Sequence, residues 1–443
     1  MPSMLGNRRP APWAAALLLG LAGCATLRAT VDGYATGASG ISRPQQRQRD
    51  ALAAADYQLL LERREDDRLL DAMTVGVASY YASQFARSAA VLDTAALIAD
   101  DRITASLSKD ALALVTNDLA RPYQPRRTER LFIPYYAMLA WARLGDWENA
   151  AVEARRLSAL LALYAGDRDD AERSLHATLH QLAGIVFERA GDRGEADVAY
   201  RASRALAASP PDSVTSAPAK GEGELLVVVE RGFVAHRANE QIEIFRGDER
   251  HEFATRSHRR EEADELPLKI AFPAVRRSPR PWGELVRVRV DDGAPAAPSL
   301  VAMVDGGTIA DEHRERAAIA ARAVARALSK YSLTKAVTDK QGEATGEMAK
   351  LGAYLLERAD VRSWHLLPQE LALLRVPAVA GRHVLRLEIG DGLTVRHVDA
   401  GTVEVGEGLV TIVPVRIFRD SPPPSSSTVV ASRDSACVRV SCR

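Results

Sequence analysis

The chain has 443 residues, of which 58 are Lys or Arg and 58 are Asp or Glu, so its formal net charge is +0. This length predicts two or three domains, and the balanced charge excludes the net basic domain that is typical of nucleic-acid-binding proteins. Hydrophobic residues make up 47% of the chain, which excludes wholesale disorder. Three cysteines are too few for a disulfide scaffold. No apolar run reaches the roughly 18–20 residues that a membrane-spanning helix needs.

The first residues have the pattern of a secretory signal. Arg8 and Arg9 form a short basic region, and residues 14–21 form a short apolar one. Leu21-Ala22-Gly23-Cys24 follows directly. The apolar stretch is too short for a membrane span and has the wrong flanks, so the pattern predicts a segment that is removed during export.

Leu21-Ala22-Gly23-Cys24 resembles the lipobox of bacterial lipoproteins. The resemblance implies that residues 1–23 are a signal peptide, that cleavage occurs before Cys24, and that Cys24 is lipidated. Several acyl chains on one residue would anchor the protein stably to a membrane. Ala25 stands where many lipoproteins of the inner membrane carry Asp, so the resemblance implies the outer membrane, on its periplasmic face. Residues 24–49 then form a tether. The alternative is a plain secretory signal whose cysteine is incidental.

Residues 50–208 have a helical pattern that is rich in Ala and Leu. Three segments share one spacing of small and aromatic residues, and the clearest runs from Gly184 to Tyr200. Gly145-Asp146 and Gly191-Asp192 are each expected to end one helix and begin the next. The spacing resembles tetratricopeptide (TPR) repeats, which implies an α-solenoid with a surface for a protein partner. An Ala-rich helical bundle without true repeats is the alternative.

Residues 209–223 form a linker by composition, and a period of two begins after it. A β-rich region is expected over residues 224–419, with a helical insertion at 309–358 and a flexible tail at 420–443. The expected fold is therefore multidomain: a TPR-like α-solenoid followed by a β-sandwich-like domain with inserted helices. The predicted strands include Leu225 to Val229, Leu285 to Val290, Leu385 to Ile389 and Leu409 to Phe418. One face of the first inserted helix is apolar and comprises Ala317, Ala320, Val324, Leu328 and Tyr331.

The most specific stretch after this insertion contains Asp360, Arg362 and Trp364 and runs into Leu367-Pro368. With the lipobox and the helical half, it resembles a family of uncharacterised bacterial lipoproteins. That family pairs a helical-repeat region with a β-rich half. Some members of that family are encoded beside lipoproteins that activate peptidoglycan synthases. The resemblance therefore implies a role in assembly of the cell envelope. The three residues are either a binding surface or a structural motif in which Trp364 fills the core and Arg362 pairs with a carboxylate.

The sequence offers little catalytic or metal-binding chemistry. His176 and His180 share one side of a predicted helix, but Ala177 replaces the Glu of the zinc protease motif and no third ligand is identifiable. Asp305-Gly306-Gly307-Thr308 leads into a helix, with Thr308 as the expected N-cap rather than part of an anion site. Cys437 and Cys442 could form a small disulfide loop. We therefore predict no catalytic residue, no cofactor and no metal.

These patterns favour a membrane-anchored, non-enzymatic scaffold or adaptor that binds an envelope protein. The first alternative is a glycan- or peptidoglycan-binding module in the β-rich half, for which Trp282 and Trp364 are the candidate stacking residues. The second is a periplasmic hydrolase whose site is assembled only in three dimensions.

Overall fold

The computed structural model describes residues 40–62, 65, 67–105, 121–208, 219–246, 253–254, 268–280, 284–390, 395–418 and 438–440. Within these ranges the chain is mixed α/β, with helices in the N-terminal half and several sheets in the C-terminal half. The signal segment 1–23, Cys24, Cys437 and Cys442 lie outside the described residues. No described helix is both long enough and apolar enough to cross a membrane.

The helices of the N-terminal half begin before the predicted boundary at residue 50. Ser42 caps the first helix: its hydroxyl accepts from the Gln45 backbone N–H, and the Gln45 side chain reaches back to Ser42. The helical region therefore starts inside the segment that the sequence assigned to the tether. The described helices of this half are α1 (Arg43–Ala54), α2 (Tyr57–Glu62), α3 (Arg68–Tyr81), α4 (Phe85–Ala105), α5 (Arg127–Arg143), α6 (Trp147–Tyr164), α7 (Arg173–Arg189) and α8 (Arg193–Leu206).

Three helical hairpins, α3–α4, α5–α6 and α7–α8, stack in chain order. The second and third hairpins have the same kind of turn between their helices. Gly145 and Gly191 adopt positive φ angles of 76° and 83°, which favour glycine. The carboxylates of Asp146 and Asp192 then cap α6 and α8. The Gly-Asp turns predicted from the sequence therefore separate the helices of these two hairpins.

Close contacts between paired helices explain why the hairpins share one spacing of small and large residues in the sequence. A Cβ at Gly184 would lie 2.6 Å from the ring of Tyr200, and one at Gly76 would lie 2.5 Å from a Leu92 methyl carbon. In both hairpins a glycine on the first helix therefore admits a large side chain from the second. Met138 stands at the corresponding place in the middle hairpin and is fully buried.

The described strands of the C-terminal half are β1 (Glu222–Arg231), β2 (His236–Arg246), β3 (Phe253–Ala254), β4 (Leu268–Arg276), β5 (Glu284–Val290), β6 (Leu300–Met303), β7 (Glu370–Val379), β8 (Gly381–Gly390), β9 (Val395–Val405), β10 (Val410–Ile417) and β11 (Val438–Val440). They form a central sheet with the strand order β11–β10–β1–β7–β6 and two smaller sheets, β3–β2–β4 and β5–β8–β9. The central strand β1 runs parallel to β10 and antiparallel to β7, so that Val227 lies beside both Val413 and Leu374.

Both faces of β1 are buried, which accounts for its unbroken apolar run. Leu226 and Val228 belong to a core that also contains side chains of the helices. Leu225, Val227 and Val229 belong to a second core, shared with the β5–β8–β9 sheet. Strand β1 begins at Glu222, inside the segment 209–223 that was predicted as a linker, and side chains of the helices and of the central sheet belong to one hydrophobic core.

The central sheet covers the inner side of the helical hairpins. Helices α3, α5 and α7 are buried along most of their length, whereas α4, α6 and α8 expose one side. Arg143 of α5 donates to the Ile412 carbonyl of β10 at 2.7 Å. The inner surface that a helical-repeat protein would offer to a partner is therefore occupied by the chain's own sheet.

Two further helices, α9 (Val304–Gln341) and α10 (Glu343–Leu356), lie between β6 and β7. Helix α9 begins before the predicted residue 309, with Met303 rather than Thr308 at its N-cap. A Cβ at Gly306 would lie 2.3 Å from the carbonyl oxygen of Ala171. The glycines of this first turn thus allow α9 to approach the helical half closely, and Gly342, at φ 90°, separates α9 from α10.

Candidate functional site

Asp360 and Arg362 link the segment after α10 to the helical half through hydrogen bonds. The Asp360 carboxylate accepts from the Arg362 backbone N–H at 3.0 Å and from its guanidinium at 2.7 Å. The same guanidinium donates to the Arg121 carbonyl oxygen at 2.9 Å and lies over the ring of Tyr123. Its charge and its hydrogen-bonding capacity are thus largely used within the chain.

Trp364 is part of the shared core, with 1% of its surface exposed. Its ring lies 6.0 Å from that of Tyr136, and its backbone N–H donates to the Glu129 carboxylate at 2.7 Å. A sugar ring cannot stack on a side chain at this depth. Trp282, the other candidate stacking residue, lies outside the described residues.

Glu129 joins three parts of the chain at the start of α5. Besides Trp364, it accepts from the Arg126 backbone N–H at 2.8 Å and from the Tyr123 hydroxyl at 2.5 Å. Burial raises the pKa of the Glu129 carboxyl, while these three donors oppose that shift. Tyr123 and Arg126 belong to the segment before α5 and Trp364 to the segment after α10, so the carboxylate fixes the Trp364 segment against the helices.

A small cleft lies beside this junction, between the start of α5, the turn from β1 to β2, the first turns of α9 and residues 363–367. Its free volume of about 10 Å³ is close to the space of one water molecule. Within the described chain, the Trp364 indole N–H and the Ser363 hydroxyl have no hydrogen-bond partner, and both residues line the cleft. The space is too small for an organic substrate.

A second buried cluster, centred on Glu230, links the helices to the end of β1. The Glu230 carboxylate accepts from Tyr135 and Tyr136, each at 3.0 Å, and from Tyr81. Burial raises the pKa of all three tyrosine hydroxyls above the usual range, so they stay protonated and donate. Arg416 of β10 supplies the opposite charge at 3.8 Å. We call these five residues the Glu230 cluster.

Sequence reasoning missed the Glu230 cluster. Two signals were present: a Glu-Arg pair that directly follows an apolar strand, and two Tyr-Tyr pairs in the helical half. Only the packing of β1 against α3 and α5 brings them together. Both Glu230 and Arg416 are 1% exposed, so the cluster can join elements but has no opening for a substrate.

His176 and His180 are both on α7, and burial is the largest cause that lowers the pKa of each imidazole to about 4. Neutral imidazoles are competent metal ligands. The described ranges contain no group of three or more His, Cys, Asp or Glu side chains that could hold a metal ion. At a pKa of about 4, both imidazoles are neutral near pH 7.

The distal part of α9 exposes large apolar side chains. Val324, Leu328 and Tyr331 have 45%, 54% and 44% of their surface exposed. On α10, Met348 is 70% exposed. Large apolar side chains at this exposure are typical of interaction surfaces when they form a continuous row. The apolar helix face found in the sequence is therefore real, but it faces outward instead of into the core.

No protein-family model matches the chain, and no curated protein matches it at a significant level of sequence similarity. The resemblance to bacterial lipoproteins stays a prediction from the motifs quoted above.

Proposed function

We propose that this chain is a lipid-anchored lipoprotein of the cell envelope that acts as a non-enzymatic adaptor, held at the periplasmic face of the outer membrane by Cys24. The observation that carries the adaptor role is the outward-facing apolar surface of α10. The signal segment and Leu21-Ala22-Gly23-Cys24 support the anchor.

The arrangement of the helices limits where an adaptor partner can bind. We interpret the three hairpins as degenerate TPR-like units, and the central sheet facing the β5–β8–β9 sheet as a β-sandwich-like layer. Since the sheet fills the inner side of the hairpins, a partner must use another surface. Helix α10 offers one, with Met348 at 70% and Leu351 at 39% exposure.

A short tether would keep this surface close to the membrane. The stretch from Cys24 to the start of α1 at Arg43 spans at most about 65 Å when fully extended. Confinement within this distance raises the effective concentration of an envelope partner, so modest affinity suffices for binding. Peptidoglycan lies in the same compartment and is the alternative ligand.

Photo-cross-linking in intact cells tests the adaptor role. A photoreactive residue at Met348 is expected to capture a defined envelope protein. The matched control is Leu163 on α6, which is 67% exposed but lies on the helical half. Equal capture at both positions, or capture of glycan alone, would contradict the proposal.

The anchor is tested separately by Cys24→Ser. The variant is expected to lose lipidation and to leave the outer-membrane fraction after a salt wash. Retention of Cys24→Ser in that fraction would show that the lipidated cysteine is not the anchor.

A further inference from the structure

A single row of residues runs along the outer side of α9. The positions follow one another at spacings of three or four, which places them on one side of a helix, and every one of them is exposed. We call this row the α9 stripe; it comprises His313, Ala317, Ala321, Val324, Leu328, Tyr331, Lys335 and Asp339.

The other side of α9 is fixed to the protein. Ile319, Ala323 and Ala327 are buried, and the helix packs there against β4 and α10. Arg326 is 2% exposed, pairs with Glu357 at 3.0 Å and donates to the Ala271 carbonyl oxygen of β4 at 3.0 Å. These contacts set the rotation of α9, so the stripe faces outward as part of the folded structure.

When two copies of the stripe run in opposite directions, large side chains of one copy can face small side chains of the other. We propose that the α9 stripe binds the same stripe of a second copy of this chain, with the two helices antiparallel. If the twofold axis crosses the stripe at the level of residue 326 along the helix, Leu328 lies against Val324 of the other copy. Tyr331 then lies over Ala321, and the methylene stem of Lys335 lies over Ala317. Large residues of one helix thus meet alanines of the other, which is the complementarity that close helix packing requires.

The charges at the ends of the stripe fit the same pairing. In this register Asp339 lies opposite His313 of the second copy and within one turn of its Arg316. No ion pair involves Asp339 or Arg316 within the described part of the chain, and both are exposed. A parallel pairing would instead place Asp339 beside Asp339 and Lys335 beside Lys335, so charge favours the antiparallel arrangement.

The size of the stripe determines how strong the pairing can be. From residue 313 to 339 a helix rises about 39 Å and is about 10 Å wide, so the dimer would bury on the order of 800 Å² in total. Stable interfaces bury roughly 1,200–2,000 Å². The dimer should therefore be weak in solution and become populated when both chains are held on one membrane, a point that rests on the proposed lipid anchor.

Disulfide trapping on vesicles tests this pairing. The background is the full chain with Cys24, Cys437 and Cys442 replaced by Ser, bound through a terminal His tag to phosphatidylcholine vesicles that carry nickel-chelating lipid. Chains with Ala321→Cys are mixed with chains with Tyr331→Cys and oxidised. We expect at least tenfold more trapped dimer from the mixture than from either variant alone, because identical positions lie about 15 Å apart along this antiparallel pair.

Two controls separate the proposal from its alternatives. Adding Leu328→Glu to both chains is expected to reduce trapping at least tenfold, with an unchanged circular dichroism spectrum because residue 328 is exposed. Leu163→Cys mixed with Ala321→Cys is expected to trap no dimer. Trapping of each variant alone at the level of the mixture would indicate a parallel pair and overturn the proposal.

Absence of trapped dimer would also overturn the proposal. An environment-sensitive dye attached at residue 328 tests the lipid surface as the other possible occupant of the stripe. A blue shift of its emission on vesicles, without trapped dimer, would show that the stripe lies against lipid and would overturn the proposal. Because the tag replaces the natural anchor, the result does not depend on whether cells acylate Cys24. Failure of the anchor would show only in the fractionation of Cys24→Ser.

Discussion

Replacing Glu230 by Gln keeps the shape of the side chain but removes the charge at the centre of the Glu230 cluster. The amide can accept fewer of the three tyrosine hydroxyls, and the Arg416 guanidinium loses its counter-charge in a fully buried position. Removing one partner of a buried pair leaves an uncompensated charge in the core. The substitution should therefore weaken the junction between the helices and the central sheet.

The expected loss is about 3–5 kcal/mol of unfolding free energy, the range for breaking a buried ion pair. Tyr136→Phe removes a hydroxyl that donates to Glu230 and also lies 3.0 Å from the Tyr81 hydroxyl, and it should cost about 1.5–3 kcal/mol. Because domains are stable by only about 5–15 kcal/mol, Glu230→Gln removes a large part of the total.

Urea unfolding followed by circular dichroism measures both losses. The matched control is Glu404→Gln, an exposed carboxylate on β9, which should change the unfolding free energy by less than about 0.5 kcal/mol. A loss below about 1 kcal/mol for Glu230→Gln would refute the assignment of the cluster as the link between the two halves.

Further predictions concern backbone contacts, pH and cooperativity. Gly306→Ala should destabilise the protein by about 1–3 kcal/mol, since its Cβ would meet a backbone oxygen of Ala171 at 2.3 Å. Gly352→Ala on α10, whose added Cβ would have no atom within 4 Å, should stabilise the protein by about 0.5–1 kcal/mol. Urea unfolding measures both variants, and equal changes in unfolding free energy would contradict the role of the Gly306 contact. Burial lowers the pKa of His365 to about 3 and that of His176 to about 4. The unfolded chain therefore binds more protons below pH about 6.5, and stability should fall as the pH drops, by about 2 kcal/mol per histidine at pH 5. His365→Gln should flatten that slope, and an unchanged slope would argue against a neutral buried imidazole. Finally, urea unfolding followed by circular dichroism and by tryptophan fluorescence should give coincident transitions, because the halves share a core; two separate midpoints would contradict that.

Local elements were predictable where one short stretch contains all the determinants. Gly145-Asp146 and Gly191-Asp192 each contain a residue that tolerates a positive φ and a carboxylate that caps the next helix, so the turns follow from two residues. The strands from Leu225 and from Leu385 follow from their apolar patterns in the same way.

Contacts between distant segments were not predictable. Strand β1 lies parallel to β10 although about two fifths of the chain separates them, and nothing local specifies that neighbour. Thr308 is a residue type that favours an N-cap, yet α9 starts at Val304, and its first turn, with Gly306, lies against Ala171 of the helical half. The sequence around Trp364 is compatible with a binding residue, but in the fold its ring is buried against Tyr136.

The change from helices to strands, the helical hairpins and the apolar face of α9 follow from local patterns, because each depends on residues within a few turns of one another. Three other features depend on the packing of distant segments: the sheet fills the inner side of the hairpins, the Glu230 cluster joins the two, and the α9 stripe faces outward. These features depend on which surfaces meet, and burial of apolar area is non-directional. A helical period shows that a face is apolar; the packing of Ile319 and Arg326 on the opposite side of α9 decides which way that face points.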